Sequence, residues 1–135
     1  MRRVTSDSGL LEELVSEGHD FFTGVPDSGL KRFLADMSGL PPEQHVPATW
    51  EAEAVGIAAG AALAGRRPVV YLQNAGLGHA VNPLSSLCIP YGIELTLVPR
   101  PPAHAAPAPR DGRDRCAASR AARLGRLRAR RGREQ

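Results

Sequence analysis

The chain has 135 residues, 42% hydrophobic and 4% aromatic, which is enough for one domain with a real core and small for a complete enzyme of most α/β classes. Its formal charge of +3 conceals two unlike parts: residues 1–99 carry six basic against eleven acidic residues, and residues 100–135 carry eleven Arg against three acids. Two cysteines, Cys88 and Cys116, exclude a zinc motif and a disulfide framework, and no apolar run is long enough for a membrane helix or a signal core, so the expected setting is a soluble, reducing cytoplasm.

In chain order, Thr5 to Ser8 offer N-cap side chains, Leu10, Leu11, Leu14 and Val15 recur at helical spacing, and Gly18 stands where a glycine ends a helix. Phe21, Phe22 and Val25 predict a short strand ending at Pro26. Leu30, Phe33, Leu34 and Met37 then fall at i, i+3, i+4 and i+7 of a second helix. HVP, from His45, predicts a short strand, and Ala54 to Gly65 a helix built only of Ala, Gly, Val, Ile and Leu. PVVYLQN has the apolar run of a strand buried on both faces. NAGLGHAVNP is expected to be a Gly- and Asn-rich loop, Pro83 to Cys88 a helical turn, and GIELTLV the last strand. Helices alternating with short buried strands predict an α/β fold, a parallel sheet flanked by helices.

From residue 99 the composition changes. RPPAHAAPAPRDGRDRCAASRAARLGRLRARRGREQ has no aromatic, Ile or Val, and Leu124 and Leu127 are its only large aliphatics. Such a stretch cannot bury enough apolar surface to offset chain entropy, so residues 99–135 are expected to be a disordered Arg/Ala/Pro-rich tail. A basic arm for nucleic acid is the other reading. It is the weaker one, because no aromatic is interleaved to stack on bases.

Sites in parallel sheets lie at the carboxyl ends of the strands. Three segments are expected to meet there: GVPDSG, TWEAE and QNAGLGHAVN. Within the small-residue helix, Ala52, Gly56, Gly60 and Ala64 fall four apart, a stripe against which another backbone or a ligand could lie. Glu51 and Glu53 open that helix. Acids in a first turn complement the helix dipole, for about 0.3–1 kcal/mol each, which is sufficient reason for Glu53. For Glu51, between Trp50 and an apolar helix, the pattern leaves two readings open: dipole complementation, as for Glu53, or a partly buried carboxylate that needs a partner.

FFTGVPDSGLKRFL, ATWEAEAVGIAAGAALAG and PVVYLQNAGLGHAVNPLSSL, in this order and at these separations, resemble the pyrimidine-binding (Pyr) domain of thiamine-diphosphate-dependent decarboxylases, in particular phosphonopyruvate decarboxylase and the sulfopyruvate decarboxylase α subunit. The resemblance covers residues 8–98 and implies a Pyr domain over 1–98, incomplete at its C-terminus. It implies that Glu51, nine residues before Gly60, hydrogen-bonds N1′ of the cofactor aminopyrimidine. Sharing a proton there would favour the 4′-imino form that generates the C2 carbanion. Positioned acid–base help of this kind is worth about 10²–10⁴ in rate. By the same resemblance Ser28, with Asp27 beside it, lies near the reacting carbon, although Pro26-Asp27-Ser28-Gly29 is also an ordinary turn and N-cap sequence. Gln73, Asn74, Gly76, Leu77, Gly78 and Asn82 match the loop beside the aminopyrimidine, with His79 where many relatives have Asn.

The function implied by the resemblance is that of a decarboxylase acting on a 2-oxo acid, phosphonopyruvate first and sulfopyruvate as the alternative. The cofactors implied are thiamine diphosphate and Mg²⁺. The family places the Mg²⁺ and the diphosphate on a second domain marked by a GDG motif, which does not occur here, so no metal ligand is expected in this chain. A PP domain or β subunit is the expected partner, in a homo- or hetero-oligomer. The family also continues past LTLV with a Trp-Arg-Gly-like segment, so the tail resembles a wrong-frame extension. Two rivals remain: a dinucleotide fingerprint in GLGHAV, broken because Val81 replaces the third glycine, and a non-catalytic truncated domain with a basic arm.

Overall fold

The structure is a computed structural model that describes residues 9–100. At its centre lies the apolar run Pro68–Gln73, β3. Side chains of a strand alternate in direction, and here Val70 and Leu72 join one hydrophobic cluster while Val69 and Tyr71 join the other. A strand with apolar residues at both phases is therefore one that has a core on each side.

Around it the four strands β1 (Phe21–Gly24), β2 (His45–Pro47), β3 and β4 (Thr96–Arg100) form one all-parallel sheet of order β2-β1-β3-β4. The expected α/β fold is the one observed. Helices α1 (Leu10–Ser16) and α2 (Lys31–Met37) cover one face, where Leu14, Phe33 and Met37 pack on Phe22, Val69 and Tyr71. The Phe33 ring stands edge-on to both Phe22 and Tyr71. Helix α3 (Glu51–Leu63) covers the other face with Ala54, Val55, Ala58 and Ala59. These small side chains let α3 lie close to the sheet. Gly18 follows α1 with φ 89°, as its position predicts. The N-cap candidates Thr5 to Ser8 lie outside the described residues.

Three expectations need correction. Asn74 to Pro83 is not a loop: Asn74–Gly76 is a 3₁₀ turn and Leu77–Pro83 is a helix, α4. Leu77, Ala80 and Leu84 reach the α3 core at helical spacing, and that burial outweighs the helix cost of Gly78. The chain then makes a π turn over Leu84–Cys88, closed by Ile89 N–H on the Leu84 carbonyl at 2.9 Å. Second, the last strand begins at Thr96 rather than Gly92, because β4 pairs with β3 only from Val69 onward. It runs on through Pro99 and Arg100, and the rest of the expected tail, Cys116 included, lies outside the described residues. Third, the Gly56 and Gly60 positions of the α3 stripe are open: no described atom comes within 4 Å of where a side chain would begin. The sheet-facing side of α3 is the neighbouring Ala-rich one.

Among the described residues no helix is long and apolar enough to cross a membrane.

Candidate active site

Two side-chain clusters stand at the carboxyl edge of the sheet, and both are built from loops that come after strands. The first is centred on Glu51. Extended backbone at Trp50 turns into α3 at Glu51, and the two glutamates of the first turn then diverge. Glu53 folds back, its Oε2 accepting from Thr49 N–H and Thr49 Oγ1 at 2.8 Å each. It caps the helix, in keeping with its first-turn position. Glu51 turns toward the β3–α4 connection, with its side chain 13% exposed. There its Oε2 meets His79 Nδ1 at 3.0 Å.

Gly76 shapes the space for Glu51. A Cβ at Gly76 would come within 2.6 Å of Glu51 Cγ and Cδ, so the carboxylate lies against bare backbone that any other residue would obstruct. His79 is 61% exposed on its side-chain atoms, and its ring centroid is 6.0 Å from that of Trp50, tilted by 59°. Glu51 is thus reached from solvent by one heteroaromatic ring.

The second cluster is centred on Asp27, at the β1–α2 turn. Its carboxylate accepts from Gly29 N–H at 2.9 Å, an Asx turn that caps the 3₁₀ turn Ser28–Leu30. Ser28 Oγ is 3.4 Å away. Arg100, the last residue of β4, gives Nη1 to both carboxylate oxygens at 3.0 and 3.2 Å. The Asp27 side chain is 2% exposed and that of Arg100 29%. The Gly29 N–H and, against the opposing effect of burial, Arg100 and the Gln73 side chain hold the Asp27 carboxyl below the usual carboxylate range. Asp27 is a fixed anion here, not a proton donor.

The residues singled out in the sequence therefore separate into groups. Glu51, Gly76 and His79 are brought together. Asp27, Ser28 and Gln73 meet around Arg100. Asn74 and Gly78 are exposed beside the first group, and Leu77 is half-buried in the α3–α4 core. Asn82 lies one helical turn after His79, and its Oδ1 accepts from Ser86 at 3.2 Å. Sequence reasoning missed Arg100, which composition assigns to the tail. Its only signal was its place at the end of an apolar strand. Away from that edge, His45 Nε2 at the start of β2 and the hydroxyl of Tyr71 within β3 are 3.0 Å apart. Burial lowers the His45 pKa and pushes that of Tyr71 up to about 12, so this pair is neutral and structural. Among the described residues no group of three His, Cys, Asp or Glu side chains is placed to hold a metal ion.

No protein-family model matches the chain. Curated relatives do: it is 38% identical over 96 residues to a sulfopyruvate decarboxylase subunit alpha of Methanothermobacter thermautotrophicus, covering 71% of this chain and 58% of that protein. To the protein of the same name in Methanococcus maripaludis it is 33% identical, over 70% of this chain and 57% of the relative. A phosphonopyruvate decarboxylase of Streptomyces viridochromogenes is 35% identical over 66% of this chain and 22% of its own length. The chain spans somewhat more than half the length of these alpha-subunit relatives.

Proposed function

Because the chain belongs to the family of the sulfopyruvate and phosphonopyruvate decarboxylases, we propose that it is the aminopyrimidine-holding part of a thiamine-diphosphate-dependent carboxy-lyase. The observation that carries this reading is Glu51, a little-exposed carboxylate at the mouth of an apolar helix, seated against the bare backbone of Gly76.

The residues present fit the cofactor's ring. An aminopyrimidine is a flat heteroaromatic with a nitrogen for a carboxyl partner, and the Glu51 oxygen already holds a flat heteroaromatic nitrogen, that of His79, at 3.0 Å. His79 is exposed, so its ring can leave without disturbing the core. Gly76 leaves room beside Glu51 and Gly78 stands in open space, and by the family resemblance Gln73, Asn74, Leu77 and Asn82 would also border the ring. When bound, the cofactor supplies the electron sink for loss of CO2 from a 2-oxo acid. The work of this chain is more limited: Glu51 holds a proton at the ring nitrogen, the α3–α4 core fixes Glu51 in place, and the edge of the sheet orients the substrate. By the family resemblance Ser28, exposed beside Asp27, would be the hydroxyl of this chain nearest the reacting carbon.

The substrate class proposed is a 2-oxo acid with a second anionic group, of the sulfopyruvate or phosphonopyruvate kind. The diphosphate and Mg²⁺ are assigned to a partner, a PP domain or β subunit. Relatives named as alpha subunits support such a division.

The test is reconstitution. The full chain mixed with a diphosphate-binding partner, thiamine diphosphate and Mg²⁺ should release CO2 from sulfopyruvate or phosphonopyruvate. Calorimetry on the chain alone should find cofactor binding no stronger than about millimolar, or ~−4 kcal/mol. No release with any partner, or micromolar binding by the chain alone, would overturn the reading.

A further inference from the structure

We propose that Arg100 is the cation of a substrate-anion site, receiving the sulfonate or phosphonate group of the 2-oxo acid. The inference rests on the proposed decarboxylase function and adds to it the group that selects the substrate.

Arg100 differs from the other described basic residues in position. Arg66 and Arg67 stand just before β3 at the amino ends of the strands, where they are tied to Asp20 and to the Glu17 carbonyl. Lys31 and Arg32 are exposed on α2. Arg100 occupies the last ladder position of β4, opposite Gln73. From Gln73 three residues of chain lead to Gly76, which lies against Glu51. Three residues span at most about 11 Å, and less in the 3₁₀ turn found here. Arg100 and Glu51 therefore stand at the same edge of the sheet, Glu51 for the cofactor ring and Arg100 for the second anionic group of the acid that the cofactor would hold.

The guanidinium is also held ready. Nη1 is fixed by both oxygens of a buried aspartate, and Asp27 is fixed in turn by Gly29 N–H. The fork lies over Gly29, where a Cβ would collide with Nε and Cζ. Glycine there lets the plane of the fork settle. A guanidinium has five N–H donors. Among the described residues its Nε and Nη2 have no hydrogen-bond partner, and the side chain as a whole is 29% exposed. Such a fork matches two oxygens of a tetrahedral anion, and holding it in advance reduces the entropy lost on binding. Asp27 neutralises part of the charge, so the site gains more in orientation than in long-range attraction.

The experiment has two arms. In the enzyme assembled with its diphosphate-binding partner, Arg100→Ala should raise KM at least ~30-fold for sulfopyruvate and phosphonopyruvate, while kcat/KM for pyruvate, which lacks the second anion, changes less than ~3-fold. Arg100→Lys should recover only part of the loss. Equal losses on all three substrates would overturn the proposal. The second arm needs no catalysis: the Arg100 Nε–H resonance of the full chain is followed by NMR during titration with sulfoacetate, phosphonoacetate and acetate. A saturable shift with the first two and none with acetate is expected, and the stronger of the two identifies the preferred anion. No shift, or the same shift at Arg66, overturns the proposal whether or not the assembled enzyme turns over. Conversely, an assembled enzyme that is inactive while the Nε–H shift is present counts against the decarboxylase reading alone.

Discussion

His79 Nδ1 lies 3.0 Å from Glu51 Oε2, although the two residues are 28 positions apart on different helices, α4 and α3. One ring therefore occupies the carboxylate that the proposed cofactor would use, and binding exchanges one heteroaromatic nitrogen for another.

The two first-turn glutamates should behave differently. Glu53 is bound to Thr49 at the surface and Glu51 points into the site. In the assembled enzyme, Glu51→Gln should slow CO2 release at least ~10-fold, since the amide cannot share the proton. Glu53→Gln should leave turnover nearly unchanged and lower only the melting temperature, slightly. Steady-state assays with thermal melts would show this, and equal effects of the two changes would remove Glu51 from its role.

Gly76→Ala should damage the same site from the other side. The new methyl would stand 2.6 Å from Glu51 Cγ and Cδ, so either the glutamate or the turn must move. A cost of about 1–3 kcal/mol in urea unfolding is expected, together with reduced turnover. Gly78→Ala, in open space, is the control and should cost far less.

The Asp27–Arg100 pair gives a pH dependence with a defined sign. The folded Asp27 carboxyl titrates below its ordinary value of 3.8. The stability it contributes is thus complete above that value and is lost as pH falls through the lower folded value. At neutral pH Asp27→Asn should destabilise by about 1–3 kcal/mol, leaving Arg100 without its charge partner. Below pH about 4 the gap between the wild type and this variant should narrow. Urea denaturation of both across pH about 2.5–7 would reveal a constant gap if the pair contributes nothing.

Thr23 supplies a test in the opposite direction. It is fully buried in β1, and among the described residues its Oγ1 has no hydrogen-bond partner. Thr23→Val keeps the shape and removes the stranded hydroxyl, so a gain of about 1 kcal/mol is expected. A loss in chemical denaturation would mean that the hydroxyl has a partner.

Much of this architecture was legible in the residues because burial imposes a period. Leu30, Phe33, Leu34 and Met37 mark α2 by spacing alone, and the unbroken run PVVYLQ marks a strand enclosed on both faces. Helix α4 was not legible. Gly78, Asn82 and Pro83 weigh against a helix, and the apolar residues that hold it, Leu77 and Ala80 with Leu84 just beyond its end, declare themselves only against the α3 surface. At the site, the spacing of Glu51 from Gly60 pointed to the carboxylate. It could not point to His79 or Arg100, because those contacts depend on how three loops meet and not on local sequence. The reach of β4 was misjudged for a related reason: composition changes at Pro99, whereas the ladder runs on through Pro99 and Arg100.

Because β3 contributes alternate side chains to two separate hydrophobic clusters, neither layer of helices can melt away and leave the other intact. Loss of either cluster strips β3 of half its apolar contacts and frees the ladders to β1 and β4 with it. The two halves of the interior are thermodynamically coupled through six residues. Unfolding should accordingly be a single transition, with near-ultraviolet signals from Tyr71 and far-ultraviolet signals from the helices falling at one temperature. In hydrogen exchange, the amides of Val69 to Leu72 should open only with the whole domain, while the first-turn amides of α3 and α4, around Glu51 and His79, exchange earlier. The chemistry would thus be mounted on helix starts that open locally while the strand anchoring them stays closed.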